Sequence, residues 1–147
     1  MGTRSAIIVK VGSKYKGIYC HWDGYPDGMG VGYHLFHHYA TQEKVEALIA
    51  LGDLSTLKEN VAPPDGVIHT FDAPYIEDAK ANRATSKVTV AYGRDRGETD
   101  PSIINPKIGK SIKQVEDMIC DFAHSYVFSN GEWKVDRKKL SKFHPAK

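Results

Sequence analysis

The sequence has few cysteines, which cross-link small domains, and no long apolar run of the kind that anchors chains in membranes. Its two cysteines, Cys20 and Cys120, form no C-x-x-C pair and no even set of short spacings, which favours a reducing compartment. No apolar run approaches the length that spans a bilayer, and the run near the amino terminus is too short for a signal peptide. We therefore expect a cytoplasmic protein without a membrane partner.

The net charge is small, and catalytic motifs are scarce. A formal charge of +2 is too small to indicate nucleic-acid binding by bulk electrostatics. The chain lacks a Walker A loop, a G-x-S-x-G elbow and an H-E-x-x-H motif, and the glycines of GMGVG match a dinucleotide fingerprint only weakly. The sequence thus implies no cofactor, and binding is better supported than catalysis.

What is present indicates one folded domain. Hydrophobic residues make up 41% and charged residues 26% of the chain, close to the averages of globular proteins. A chain of 147 residues has the size of one domain, so we assign residues 1–147 to a single unit. Residues 73–86 form a polar irregular insertion, and residues 137–147 a basic tail that charge patterning marks as a solvated terminus.

Local patterns predict both strands and helices. Residues 4–11 and 14–21 are predicted to form an antiparallel hairpin, and a second hairpin is predicted to turn at Asn130-Gly131. Residues 67–71 and 86–92 are predicted to be further strands. The predicted helices are residues 33–40, the segment after Thr41 and the segment after Ser111. This order predicts an α+β fold, with a mainly antiparallel sheet and two or three helices packed on one face.

The segment after the second strand is the first candidate site. His21, Trp22, Asp23, Tyr25 and Asp27 lie among glycines that let the backbone turn sharply. Aromatic faces stack on planar rings, and carboxylates accept hydrogen bonds from hydroxyl or amino groups, so the segment suits a nucleotide-sized ligand. In the alternative interpretation, the two aromatic rings fold inward and pin a tight loop.

A second candidate half-site follows the predicted strand 86–92. Tyr92, Arg94 and Arg96 lie in a turn, where the guanidinium groups are suited to bidentate contacts with phosphates and the phenol ring to stacking. Surface ion pairs with neighbouring carboxylates explain the arginines equally well. If the fold joins the two clusters, they form complementary halves of one site.

Histidines and cysteines offer weaker alternatives. His34 and His38 would share one side of a helix with His37 nearby, but their spacing matches no established metal motif. We therefore predict no metal site. Cys20 precedes His21, yet adjacent strand residues face opposite sides, so this histidine is a poor base for that thiol. No catalytic residue is assigned.

Four segments together carry a resemblance: IYCHWDGYPDGMG, EKVEALIALGDLSTL, VTVAYGRDRGE and SYVFSNGEWKV. With them the chain resembles a group of small proteins encoded by bacteriophages and prophages, over most of its length outside Pro74 to Ser86 and the basic tail. The resemblance implies an accessory protein that blunts host immunity. Among such proteins, the anti-Thoeris sponges for cyclic ADP-ribose isomers or cyclic oligonucleotides are the closest functional match to the aromatic and arginine pattern.

These observations lead to one main hypothesis and two alternatives. The main hypothesis is a phage-encoded anti-defence protein that sequesters a nucleotide-derived immune signal in the host cytoplasm without turnover, as a homo-oligomer. The first alternative is a protein inhibitor that docks its aromatic residues on a host defence or CRISPR component. The second is a small metal-dependent hydrolase or nuclease built on His21, Asp23 and the histidine-rich helix.

Overall fold

The computed structural model describes residues 3–26, 30–58, 60–61, 89–93, 97–119 and 122–140. These residues form eight strands and four helices. The strands are β1 (Ser5–Val11), β2 (Lys14–Cys20), β3 (Leu54–Thr56), β4 (Val90–Ala91), β5 (Lys107–Gly109), β6 (His124–Ser129), β7 (Glu132–Val135) and β8 (Lys138–Lys139). The helices are α1 (Val31–His38), α2 (Gln42–Ile49), α3 (Pro101–Ile104) and α4 (Ile112–Ile119).

The predicted hairpin at the start of the chain is confirmed. β1 and β2 pair antiparallel from Ser5 opposite Cys20 to Val11 opposite Lys14. Gly12 takes a φ of 62° in the connecting turn, a conformation that glycine adopts without steric cost. The hairpin supplies two neighbouring strands at the middle of the sheet.

The sheet is mixed, although most of its pairs are antiparallel. Its strand order is β4-β3-β2-β1-β6-β7-β8, and β5 pairs with the amino-terminal half of β2 beside the short contact between β2 and β3. Two pairs are parallel, β1 with β6 and β2 with β3. The α+β class is therefore confirmed.

The prediction that all helices cover one face is wrong. Ile7 and Val9 belong to the core that α1 and α2 help to form, whereas Ala6 and Ile8 pack with Val115 of α4 on the other face. The run Ala6 to Val9 is fully buried, because both faces of β1 are covered. A continuous apolar run of this kind is typical of strands buried on both faces, whereas strands with one solvated face alternate apolar and polar residues.

Capping signals place α2 and α4 where the sequence predicted them. The Thr41 hydroxyl accepts the N–H of Lys44 at 3.3 Å, and the Ser111 hydroxyl accepts the N–H of Gln114 at 3.2 Å. In a capping box the Gln114 side chain would accept the N–H of Ser111. Here its Oε1 instead accepts the N–H of the preceding residue, Lys110, at 2.6 Å. At the start of each helix, a nearby side chain therefore accepts a backbone N–H that has no partner within the helix.

The hairpin predicted at Asn130-Gly131 is also confirmed. Both residues have positive φ, at 55° and 74°, as a two-residue turn between β6 and β7 requires. Trp133 of β7 is buried, and its indole N–H donates to the Tyr39 carbonyl at 2.7 Å. This bond ties the hairpin to the segment after α1.

Some predictions concern parts of the chain outside the described residues. The predicted strand 67–71 and the insertion 73–86 lie there, and of the predicted strand 86–92 the described part forms β4 at Val90–Ala91. The first residues of the basic tail belong to the sheet, where β8 pairs with β7 and Leu140 is buried in the core. Within the described ranges, no helix has the length and apolar character needed to cross a bilayer.

Candidate functional site

The first candidate segment leaves β2 along the edge of β3. The N–H of His21 donates to the Leu54 carbonyl, and the N–H of Trp22 donates to the Ser55 carbonyl, both at 3.0 Å. These two bonds extend the parallel pairing that begins with Cys20 opposite Leu54. The backbone of both residues is therefore held by the sheet.

The loop then turns sharply and is fastened to the rest of the domain. Asp23 has a φ of 58°, and its carbonyl accepts the N–H of Val31 at 2.7 Å. The N–H of Gly24 donates to the Thr3 carbonyl at 2.7 Å, and its carbonyl accepts the buried Tyr126 hydroxyl at 2.6 Å. A Cβ at Gly24 would lie 2.7 Å from that same Thr3 oxygen, so the close approach requires glycine.

Three aromatic side chains, Tyr19, His21 and Trp22, form what we call the aromatic platform. The Tyr19 hydroxyl and Nδ1 of His21 are hydrogen-bonded at 2.7 Å, on the face that these alternate residues share. The His21 ring meets the Trp22 indole edge to face, with centroids 4.6 Å apart and planes at 87°. Trp22 is 41% exposed, so part of its ring system is open to solvent while the His21 ring packs against it.

The Tyr25 side chain packs against the loop instead of facing solvent. Its ring lies against the backbone of Gly30, where a Cβ would come within 2.6 Å of two ring carbons. Its carbonyl accepts the N–H of Gly32 at 3.3 Å, which brings the start of α1 close to the loop. Of the two predicted recognition rings, Trp22 therefore faces outward, while half-buried Tyr25 braces the loop.

Asp53 is a buried carboxylate that sequence reasoning missed. Its Oδ1 accepts the N–H of Tyr19 at 3.0 Å, and its Oδ2 lies 3.9 Å from Nζ of Lys107. Burial raises the pKa of the Asp53 carboxyl, and the bond from Tyr19 and the charge of Lys107 offset only part of that effect. Because it follows Gly52 at a helix end, Asp53 looks like an ordinary loop residue in the sequence.

Tyr92, which follows β4, and the aromatic platform, which lies at the end of β2, are on opposite sides of β3. The N–H of Tyr92 bonds to the Asp53 carbonyl at 3.2 Å, whereas Trp22 bonds further along the same strand at Ser55. β3 lies between the two segments, so their backbones are at least two strand spacings apart, about 10 Å. The two backbone segments are therefore not adjacent to each other.

Three of the predicted site residues, Asp27, Arg94 and Arg96, lie outside the described residues. The described part therefore shows the outward Trp22, the half-buried His21 and the exposed Asp23 as one segment, and Tyr92 as a separate one.

The histidines of α1 form a second aromatic cluster. The ring of Tyr33 contacts His37 with centroids 4.4 Å apart, and those of His34 and His38 lie 5.8 Å apart. Across the described ranges, no three histidine, cysteine, aspartate or glutamate side chains converge closely enough to hold a metal ion. In particular, the platform histidine and the α1 histidines are not brought into one donor set there.

Cys20 is placed as a core residue. It is fully buried, and its thiol donates to the Trp22 carbonyl at 3.7 Å. Burial, the largest cause, raises the pKa of this thiol to about 12. Cys20 is therefore a neutral thiol at physiological pH, and nucleophilic chemistry there is disfavoured.

Comparison of the chain with models of protein families, with curated proteins and with solved structures finds no match.

Proposed function

We propose that this chain is a phage-encoded anti-defence protein that binds and sequesters a nucleotide-derived immune signal in the host cytoplasm. Cyclic ADP-ribose isomers and cyclic oligonucleotides are the ligand classes we propose, and we propose that the chain acts as a symmetric oligomer. The observation that carries the proposal is Trp22, an exposed indole fixed by its neighbours. Stacking of a base on an aromatic side chain contributes about 1–3 kcal/mol to binding.

Pre-organisation supports capture rather than transient contact. Backbone bonds hold His21, Trp22 and Gly24 before any ligand arrives, and the Tyr19 hydroxyl orients the His21 ring. A site ordered in advance loses less conformational entropy when it binds, so more of the contact energy appears as affinity. Sequestration needs such affinity and no chemical step.

The separation of the two candidate segments favours extended ligands. Two strand spacings, about 10 Å, separate the backbone at Trp22 from that at Tyr92. A ligand with one base and a bridging diphosphate, or with two nucleotides, is long enough to reach from one segment toward the other.

Isothermal titration calorimetry with a panel of cyclic ADP-ribose isomers and cyclic dinucleotides tests the proposal. We expect Trp22→Ala to weaken binding about 5- to 150-fold, the equivalent of 1–3 kcal/mol, and Trp22→Phe to weaken it less. Ile108→Ala is the matched control, because Ile108 is another exposed hydrophobic side chain, on β5. The bound ligand should be recovered unchanged by mass spectrometry.

Two results would contradict sequestration. One is an absence of heat with every member of the panel, and the other is release of a hydrolysed product. Equal losses of affinity in Trp22→Ala and Ile108→Ala would show that the platform is not the binding surface. Light scattering of the purified protein tests the proposed oligomer separately.

The same exposed indole favours a second candidate function, inhibition of a host defence protein. Tryptophan is enriched among the residues that dominate protein interfaces, and Trp22 is exposed on backbone that is hydrogen-bonded to β3. In this case a host defence protein should co-purify with the native chain and be lost with Trp22→Ala. Calorimetry with the nucleotide panel would then give no heat, which distinguishes the two functions.

A further inference from the structure

A cleft of about 320 Å³ lies on the face of the sheet that α4 covers, at the opposite end of β2 from the aromatic platform. Its walls include Tyr15 of β2, Ile112 of α4 and Val127 of β6 on one side. Glu132 and Lys134 of β7 and the turn residue Arg137 lie on the other. Its volume falls at the lower end of the range for small-molecule sites.

The cleft exists because α4 covers only part of this face. Val115 of α4 packs on Ala6 and Ile8, and Val127 completes that small core. Strand β7 lies beyond it, and its alternation buries Trp133 on the opposite face while Lys134 remains exposed on this one. The result is an apolar wall beside a strip of charged side chains.

Two cations, Lys134 and Arg137, line the charged side of the cleft, and Lys139 lies next to Lys134 in the sheet. Lys134 of β7 lies directly opposite Lys139 of β8, so the two side chains leave the sheet on the same face. Arg137 belongs to the two-residue turn that joins these strands. Like charges placed directly opposite each other across a strand pair are destabilising, and a bound anion would reduce that repulsion. In the described part of the chain, no carboxylate forms an ion pair with either lysine.

Arg137 is held in position rather than free to move away. Its two terminal nitrogens donate to the Glu116 carboxylate of α4 at 2.9 and 2.8 Å, and Glu116 also accepts the Ser125 hydroxyl. Asp136 fastens the turn from the other side, because its carboxylate accepts the N–H of Ser125 at 2.9 Å. A guanidinium has five N–H donors, so this arrangement leaves donors for a second anion.

We propose that this cleft binds a small organic anion with one carboxylate or phosphate group and a flat apolar body. The anionic group lies between Lys134 and Arg137, with Lys139 contributing longer-range positive charge, and the body lies on Tyr15 and Ile112. Glu132 disfavours a second negative group and selects ligands with a hydrogen-bond donor nearby. The site is separate from the aromatic platform, since Tyr15 and His21 are about 20 Å apart along an extended strand.

Nuclear magnetic resonance with phenyl phosphate and benzoate as probes tests the site. We expect saturable shifts of the Ile112 and Val127 methyl signals and of the Arg137 Nε–H signal. The probe that binds more tightly identifies the preferred anionic group. Inorganic phosphate and benzyl alcohol, which each carry half of the required chemistry, should bind at least tenfold more weakly.

Variants separate this site from general surface charge. Lys134→Gln should weaken the probes at least fivefold, and Arg137→Gly should do the same while keeping the turn, because Arg137 has a φ of 72° that glycine accepts. Lys138→Gln is the matched control, since Lys138 lies opposite Val135, whose side chain is buried on the other face.

The proposal is overturned if no saturable shift occurs at these methyl groups, or if Lys138→Gln weakens binding as much as Lys134→Gln. Equal affinity for inorganic phosphate and phenyl phosphate would also overturn it, because charge alone would then explain binding. Trp22→Ala should leave the probe affinity unchanged. A failure of the proposed cleft site is therefore distinguishable from a failure of the proposed function.

Discussion

Replacement of Asp53 by asparagine should leave the free energy of unfolding at neutral pH unchanged or slightly higher, whereas replacement by alanine should lower it by about 1–3 kcal/mol. Both variants remove the buried charge. Asparagine keeps an oxygen that accepts the N–H of Tyr19, which Asp53 accepts at 3.0 Å, whereas alanine leaves that half-buried donor unsatisfied.

The magnitudes follow from the position of the carboxylate. Lys107 lies 3.9 Å away, which corresponds to an attraction of about 4 kcal/mol at an effective dielectric constant of 20. The raised pKa of Asp53 nevertheless shows that burial, its largest cause, outweighs this attraction and the Tyr19 bond together. The neutral asparagine avoids that burial penalty and loses an attraction that is smaller than it.

The sign of the pH dependence follows from the same shift. A carboxyl whose pKa is higher in the folded state binds its proton more tightly there, so its contribution to stability is greatest at low pH. This contribution is lost as the pH rises from the unfolded value, about 3.9, through the raised pKa of the folded state. The stability of the native protein relative to Asp53→Asn should therefore fall over that interval.

Urea unfolding followed by the fluorescence of buried Trp133, at a series of pH values from acid to neutral, measures these differences. Lys107→Met tests the attraction directly. It should destabilise the native protein more than it destabilises the Asp53→Asn variant, because only the native protein has the Asp53 charge that Lys107 attracts. If Asp53→Asn destabilises as much as Asp53→Ala, or if the pH trend has the opposite sign, the reasoning is refuted.

Three further predictions concern buried or paired side chains. In a Cys120→Ser background, Cys20 should resist alkylation in the folded protein at pH 8, because its pKa is raised to about 12; rapid labelling without unfolding would contradict this. Glu116→Gln should lower the free energy of unfolding by up to about 1 kcal/mol at neutral pH. Because the bond from Arg137 lowers the pKa of Glu116, this difference should vanish as the pH falls below the usual carboxyl range in urea titrations. Trp133→Phe should cost about 1–3 kcal/mol by thermal melting, since a buried carbonyl loses its indole donor, and an unchanged melting temperature would refute that role.

Local signals predicted those elements whose structure depends on neighbouring residues. The turn at Asn130-Gly131, the cap at Thr41 and the amphipathic start of α4 each follow from a few adjacent side chains. Long-range pairings left no such signal. The parallel contact of Ser5 with His124 joins distant segments, and the apolar run that follows Ser5 indicates burial without naming the partner.

The candidate site was predictable to a similar extent. The outward Trp22 could be expected from its place among glycines, but Tyr25 of the same segment packs on Gly30, and composition does not distinguish the two. The position of Tyr92 on the far side of β3 from Trp22 depends on strand order. The cleft beside α4 was missed because Glu132 and Lys134 have the alternation of a solvated strand face, and only the fold shows what lies next to them.

The central place of β1 has a consequence for biosynthesis. Its partner β6 begins at His124, so a ribosome must translate most of the sequence before Ile7 and Ile8 find the strand beside them. Until then the first hairpin presents an open apolar edge, the kind of template on which nascent chains aggregate. Chaperone demand should therefore begin when the hairpin leaves the exit tunnel and should end when β6 emerges.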